Sequence, residues 1–202
     1  MTQEKYVDSI LSDLNFPTVE SLVDGFFLYE LIDSYSRISK AKETENNIRD
    51  RFIYDLNRKD SRTRDLLDKR LMSIDPENWV YSDSRRLGRA DICFRFPGIR
   101  FVVECKCLSY ADNKYLEEGI KRFVDLKYAD GDDFAGMMGF VIDGNIESIK
   151  KNLSSKVAAF FPSVAIAAEI SCSTWRYSFV SSHLRNDSTT IQISHLLFEF
   201  KE

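Results

Sequence analysis

The chain has 202 residues, with 28 Lys and Arg against 32 Asp and Glu and a formal net charge of −4. That length suits one domain with a real core, and the mild acidity excludes a wholesale polyanion binder, so any nucleic-acid surface has to be a local patch. Four cysteines (Cys93, Cys105, Cys107, Cys172) make no disulfide scaffold in a chain this long; with no secretory pattern in residues 1–5 and no apolar run of bilayer length, a cytoplasmic protein without membrane association is expected.

Residues 1–38 read as one or two helices. Tyr6, Ile10 and Leu14 fall at helical spacing, Asn15-Phe16-Pro17-Thr18 breaks the pattern, and Val19 to Tyr35 resumes it. Phe26-Phe27-Leu28 is apolar enough to be buried, on the core or against a partner. No chemistry is visible here, and residues 1–40 are set apart as a helical extension of a single domain spanning 1–202.

Residues 41–70 are more informative. Glu45, Ile48 and Phe52 lie at i, i+3 and i+7, which puts Glu45 on the buried stripe of its helix. A carboxylate there needs a partner, unless it is a satisfied glutamate near a helix start. From Arg49 to Arg70 the chain carries eight basic and five acidic residues, a solvated helix face or one suited to phosphate. Asn78 to Tyr81 reads as the first strand, and Ser82 to Arg86 as a turn.

Arg89 to Leu108 reads as two β-strands joined at Pro97-Gly98. With a two-residue loop, positions summing to 195 face each other. Ile92/Val103, Phe94/Phe101 and Ala90/Cys105 then form an apolar face at period two. The same register sets Asp91 against Glu104, with Arg89/Lys106, Cys93/Val102 and Arg95/Arg100 on the same side. Pro-Gly favours a type II turn, which suits a two-residue hairpin poorly, so a longer loop is also open. Directly opposed carboxylates destabilise a sheet unless a cation joins them, and a one-residue slip would turn the apolar face outward. Mg²⁺, which favours carboxylate oxygens, resolves the conflict, and Lys106 on the same face can orient or deprotonate a water. The plainer alternative is a salt-bridged strand face neutralised by Arg89 and Lys106. Arg85, Arg86, Arg89, Arg95 and Arg100 crowd round Asp91, suiting either a phosphodiester or simple charge balance.

Asp112-Asn113 can cap a helix to Tyr128, with Leu116, Ile120, Phe123, Val124 and Tyr128 on its apolar face. Arg122 on it is read as solvated, with phosphate contact the alternative. Gly136 to Asp143 reads as a buried central strand. A helix follows, with Ile146, Ile149, Leu153, Val157 and Phe160 on one stripe. Tyr177–Val180 and Ile191–Phe200 read as closing strands. His183 is placed in a polar loop from which it could approach a substrate, and His195, at period two with Ile191 and Ile193, is read as structural. Cys105-x-Cys107 has no second pair to complete a zinc site.

Asp91, followed by Glu104-Cys105-Lys106 on the next strand, resembles the PD-(D/E)XK motif of the restriction-endonuclease-like nucleases. Ala90 stands where the family's name has proline. Glu45-Asn46-Asn47-Ile48-Arg49-Asp50-Arg51-Phe52 is similar to the first core helix of such nucleases, whose glutamate reaches the metal site. Residues 118–123 depart from the Gln-x-x-x-Tyr motif of some branches. The resemblance covers roughly residues 41–145. It implies an α/β fold (α+β mixed), a restriction-endonuclease-like core with a central mixed β-sheet flanked by helices. Residues 41–202 would form that core and its closing strands, behind the N-terminal helical extension. It further implies a Mg²⁺-dependent endonuclease, with Mn²⁺ able to substitute. Asp91, Glu104 and the Cys105 carbonyl would hold the metal, Glu45 would complete the site directly or through water, and Lys106 would position the attacking water. The implied substrate is nucleic acid, DNA in preference to RNA. The implied setting is anti-phage defence, as a homodimer or as partner subunit of a defence complex. Two other readings stand beside it: a catalytically silent nuclease-fold module that binds nucleic acid or protein, and a small immunity protein whose acidic surface engages a basic partner.

Overall fold

The computed structural model describes residues 3–58, 61–82, 85–161, 163–167 and 175–201. The central hairpin forms in the expected register: β2 (Arg85–Phe96) pairs antiparallel with β3 (Ile99–Leu108) from Phe96/Ile99 to Ile92/Val103. Its loop is the two residues Pro97-Gly98, not a longer one. Proline cannot take positive φ, and Gly98 at φ +81° supplies the second central position of a type II turn.

The pairing then stops three pairs short of the sequence expectation. Asp91/Glu104 and Ala90/Cys105 are not in the ladder. Continued, the register would give the Cys105 N–H to the carbonyl of Ala90. The Asp91 carboxylate takes that N–H instead, at 2.8 Å. Beyond this point Ala90 packs in the core on the opposite side of the sheet from Ile92 and Phe94. The strands part where two carboxylates would otherwise have been directly opposed, although Asp91 stays near enough for its charge to act on Glu104.

The sheet has seven strands in the order β1-β2-β3-β4-β7-β6-β5. The outer partner of β2 is β1 (Ser73–Ser82), longer than the segment 78–81 expected; residues 83 and 84 of the expected turn lie outside the described residues. β4 (Phe134–Val141) runs parallel to both β3 and β7 (Thr190–Glu199), as its nearly unbroken apolar sequence requires. β6 (Ser178–Leu184) and the short β5 (Ala165–Ala167), the latter without a sequence signal, complete the sheet antiparallel.

Helices cover both faces. On one lie α1 (Gln3–Leu14), α2 (Val19–Leu22), a π-helical segment Val23–Leu28, α3 (Tyr29–Arg37), α4 (Glu45–Leu56) and α5 (Arg62–Asp68). The segment set apart as an extension supplies the ring packing here. Phe27 stacks on Phe101 at 5.2 Å and lies 5.1 Å from Phe94, while Phe52 of α4 stacks on Phe140. Each such phenyl, withdrawn from water, contributes about 1.5–3 kcal/mol. The other face carries α6 (Asn113–Tyr115), a second π-helical segment Leu116–Ile120, α7 (Lys121–Val124) and α8 (Ile146–Phe160). The helix expected to reach Tyr128 ends at Val124, after which Leu126 and Ala129 adopt positive φ. No helix among the described residues is long and apolar enough to cross a membrane.

Candidate active site

Three elements converge where β2 and β3 part. Thr44 caps α4, its hydroxyl accepting from the Asn47 N–H, and Ile48 and Phe52 sink into the core. That fixes Glu45 in the first turn at the edge of the buried stripe, with its side chain 34% exposed. Glu45 Oε2 accepts from the Cys107 N–H at 2.9 Å, and Oε1 lies 3.5 Å from Lys106 Nζ. Alternate amides along the freed edge of β3, Cys105 and Cys107, are thus held by carboxylates, one from β2 and one from α4.

Glu104 is the most buried member, its side chain 2% exposed. Its Oε1 accepts from Lys106 Nζ and from Arg122 Nη1, each at 2.8 Å. Its Oε2 is buried with no hydrogen-bond partner among the described residues. Burial, then the nearby Asp91 charge, pushes the Glu104 carboxyl up to about 7, against the pull of Lys106 and Arg122. Burial opposes the charge on Lys106, yet the attraction of Glu104 and then Glu45 outweighs it and raises the ammonium above its ordinary value. Lys106 also donates to the Cys105 carbonyl at 2.8 Å. An ammonium held this firmly suits orientation of a water or stabilisation of charge, and not its deprotonation.

Two further residues, whose roles were not read from the sequence, hold the arrangement. Arg49, 4% exposed, donates to Asp91 at 3.2 Å and to Asp50. It follows Glu45 by four positions on the same helical face, which is the signal that would have found it. Tyr128, reaching in from the loop after α7, accepts from the N–H of Arg89, donates to the carbonyl of that residue, and accepts from Arg122 Nη1 at 2.8 Å. Arg122 is therefore neither a solvated arginine nor a free phosphate contact: it ties Glu104 to Tyr128. In the π-helical segment before α7, Gly119 packs on Met137 of β4, where a Cβ would come 2.5 Å from the methionine methyl carbon.

The remaining candidates are elsewhere. Arg95 and Arg100 pair with Asp75 and Asp132, and so serve charge balance near the hairpin tip. The side chains of Arg85 and Arg86, and Cys172, lie outside the described residues. His183 is in β6, 1% exposed, and not in a loop near a substrate. It shares Ser181 Oγ with His195, which also meets Tyr115 at 3.0 Å and stacks on Phe179. Donating from Tyr115 through His195 and Ser181 to His183 leaves a single buried N–H over, at His183 Nδ1. Burial holds both imidazoles neutral, pulling His183 down to about 4 and His195 well below its ordinary value.

Among the described residues no group of three or more His, Cys, Asp or Glu stands ready as a metal cage. The oxygens are turned onto Arg49, Lys106 and Arg122. In kind, however, the donors fit a hard divalent cation. Asp91, Glu104 and the Cys105 carbonyl are all oxygen ligands, and Glu104 Oε2 is a buried oxygen without a partner among the described residues. Comparison with family models, with characterised proteins and with solved structures yields no match to this chain.

Proposed function

We propose that this chain is a metal-dependent nuclease of PD-(D/E)XK type, hydrolysing phosphodiester bonds of nucleic acid, DNA in preference to RNA. The observation that supports this is the convergence of Asp91, Glu104, Lys106 and Glu45 at the parting of β2 and β3, with one buried carboxylate oxygen left over. Asp91, Glu104 and the Cys105 carbonyl would hold Mg²⁺ or Mn²⁺, with Glu45 joining directly or through water. When bound, the ion supplies positive charge for the phosphoryl oxygens and a water acidic enough to attack. Lys106, kept protonated, orients that water and steadies charge on phosphate. Of the three cations that hold the carboxylates, Arg122 is the most exposed, at 33%, and would give up Glu104 to meet a substrate phosphate. A place in anti-phage defence, with a second copy or a partner subunit, follows from the motif resemblance alone.

The second reading is a catalytically silent nuclease-fold module, favoured by the existing neutralisation of the carboxylates. Cleavage of supercoiled plasmid, single-stranded DNA and RNA, with Mn²⁺, Mg²⁺ or EDTA, decides between them. Asp91→Asn, which keeps an acceptor for the Cys105 N–H, and Lys106→Ala run alongside. Metal-dependent cutting, at least about 100-fold weaker in both variants, is expected. Cutting that survives in both variants sinks the site assignment. No cutting, together with no Mn²⁺-induced rise in melting temperature, supports the silent module.

A further inference from the structure

Past the far end of α4 from Glu45, a cavity of about 490 Å³ opens between α3 and the start of α5. Glu30, Arg62, Ser61, Tyr29 and Gly25 are among its lining residues. Glu30 is 3% exposed and lines this cavity. No hydrogen bond or ion pair reaches its carboxylate among the described residues. Arg62, also in the cavity wall, lies over the rings of Phe26 and Phe16, 4.9 and 5.8 Å from their centroids, and has no ion-pair partner among the described residues. The other two arginines of the wall, Arg37 and Arg58, are already committed to Asp33 and Asp55.

A carboxylate this enclosed, with no hydrogen bond or ion pair among the described residues, is costly to keep charged. Burial raises the Glu30 carboxyl above its ordinary range, with Arg62 the largest opposing influence, yet the two do not close on each other. Opposite charges that line one cavity without closing to an ion pair form a complementary pair of end groups. The wall is also built to hold them apart. Gly25 sits in the π-helical segment, a geometry frequent at binding sites, and a Cβ there would come 2.7 Å from the Phe16 ring on which Arg62 rests.

We propose that this cavity binds a small zwitterion, whose ammonium or guanidinium donates to Glu30 and whose carboxylate or phosphate accepts from Arg62. Its volume is within the range of small-molecule sites, roughly 300–1,000 Å³. The site is separate from the acidic cluster and does not depend on the nuclease reading.

The test uses the full chain, with L-arginine and O-phosphoethanolamine as probes for the two anionic ends, and agmatine, which lacks the carboxylate, as control. Melting temperature and calorimetric titration are measured for wild type, Glu30→Gln and Arg62→Ala. At least one zwitterion is expected to raise the wild-type melting temperature more than agmatine does, with binding about tenfold or more weaker in each variant. Ligand-free Glu30→Gln is expected to melt above wild type, because the unbonded charge is gone. A purely structural Glu30 would give the opposite, a variant that melts lower. The proposal is overturned by that result, by a wild type that responds to neither zwitterion, or by equal responses in wild type and Glu30→Gln.

Discussion

The polar cluster at the parting of β2 and β3 and the histidine chain beneath β6 and β7 treat burial in opposite ways. Tyr115, His195, Ser181 and His183 are neutral and share protons in series, leaving one N–H over. Glu45, Asp91, Glu104 and Lys106, with Arg49 and Arg122, bury charges that neutralise one another and leave a carboxylate oxygen over. A neutral chain of this kind stiffens a core at modest cost. Buried ion pairs seldom repay their desolvation, so a charged cluster in the same sheet points to a use other than stability. Their pH responses also run in opposite directions. A folded pKa lowered to about 4 makes His183 support the fold above the unfolded value near 6.5, and lose that support as pH falls. A folded pKa raised to about 7 makes Glu104 support the fold below its unfolded value near 4.5, and lose that support as pH rises.

Breaking the charged cluster should have the larger effect. Lys106→Met leaves Glu104 with Arg122 as its remaining cation, and urea unfolding at pH 8 is expected to show a loss of about 3–5 kcal/mol. At pH 5, where the carboxyl takes up a proton, the loss should shrink; an equal loss at both pH values would mean that Glu104 stays charged. The histidine chain shows itself next. In Glu104→Gln, where the opposing slope is absent, stability should fall between pH 6.5 and 4, with about 3 kcal/mol of the fall due to His183, and His183→Gln should remove that share while the part due to His195 remains. A slope unchanged by His183→Gln would assign it to other groups. Tyr115→Phe strips His195 Nδ1 of its partner and should cost about 1–3 kcal/mol in the same assay, with the two-state transition retained. Smallest is Arg122→Gln. Because this arginine is one-third exposed, the loss should stay below about 1 kcal/mol, while Mn²⁺-dependent cleavage falls by a larger factor.

Much of the site was legible because strand register is arithmetic. Ile92, Phe94, Phe101 and Val103 fix the hairpin, and the hairpin brings Asp91 and Glu104 close. The parting of the strands was not legible, because it depends on a side chain outcompeting a backbone carbonyl for the Cys105 N–H. Helical period placed Glu45, but not the distance it spans to Cys107. Tyr128 was placed on a helix by its apolar neighbours; positive φ at Leu126 and Ala129, invisible in a helical wheel, carries it into the site instead. His183 sits among serines and so read as a loop residue, although strand pairing with Ile191 buries it. The bonds between the N-terminal helices and the sheet were hidden for a related reason: Phe27 is apolar in any context, and only the packed sheet shows that it lies on Phe101.

The two amides of Cys105 and Cys107 lie inside a sheet yet are held by side chains, and not by the neighbouring strand. Their protons therefore exchange with solvent according to what the carboxylates of Asp91 and Glu45 are doing, while those of Val103 and Phe101 follow the opening of the hairpin. If the proposed ion binds by drawing those carboxylates away, amide exchange at these two positions would change without any substrate, and a spectroscopist following only the backbone would see it.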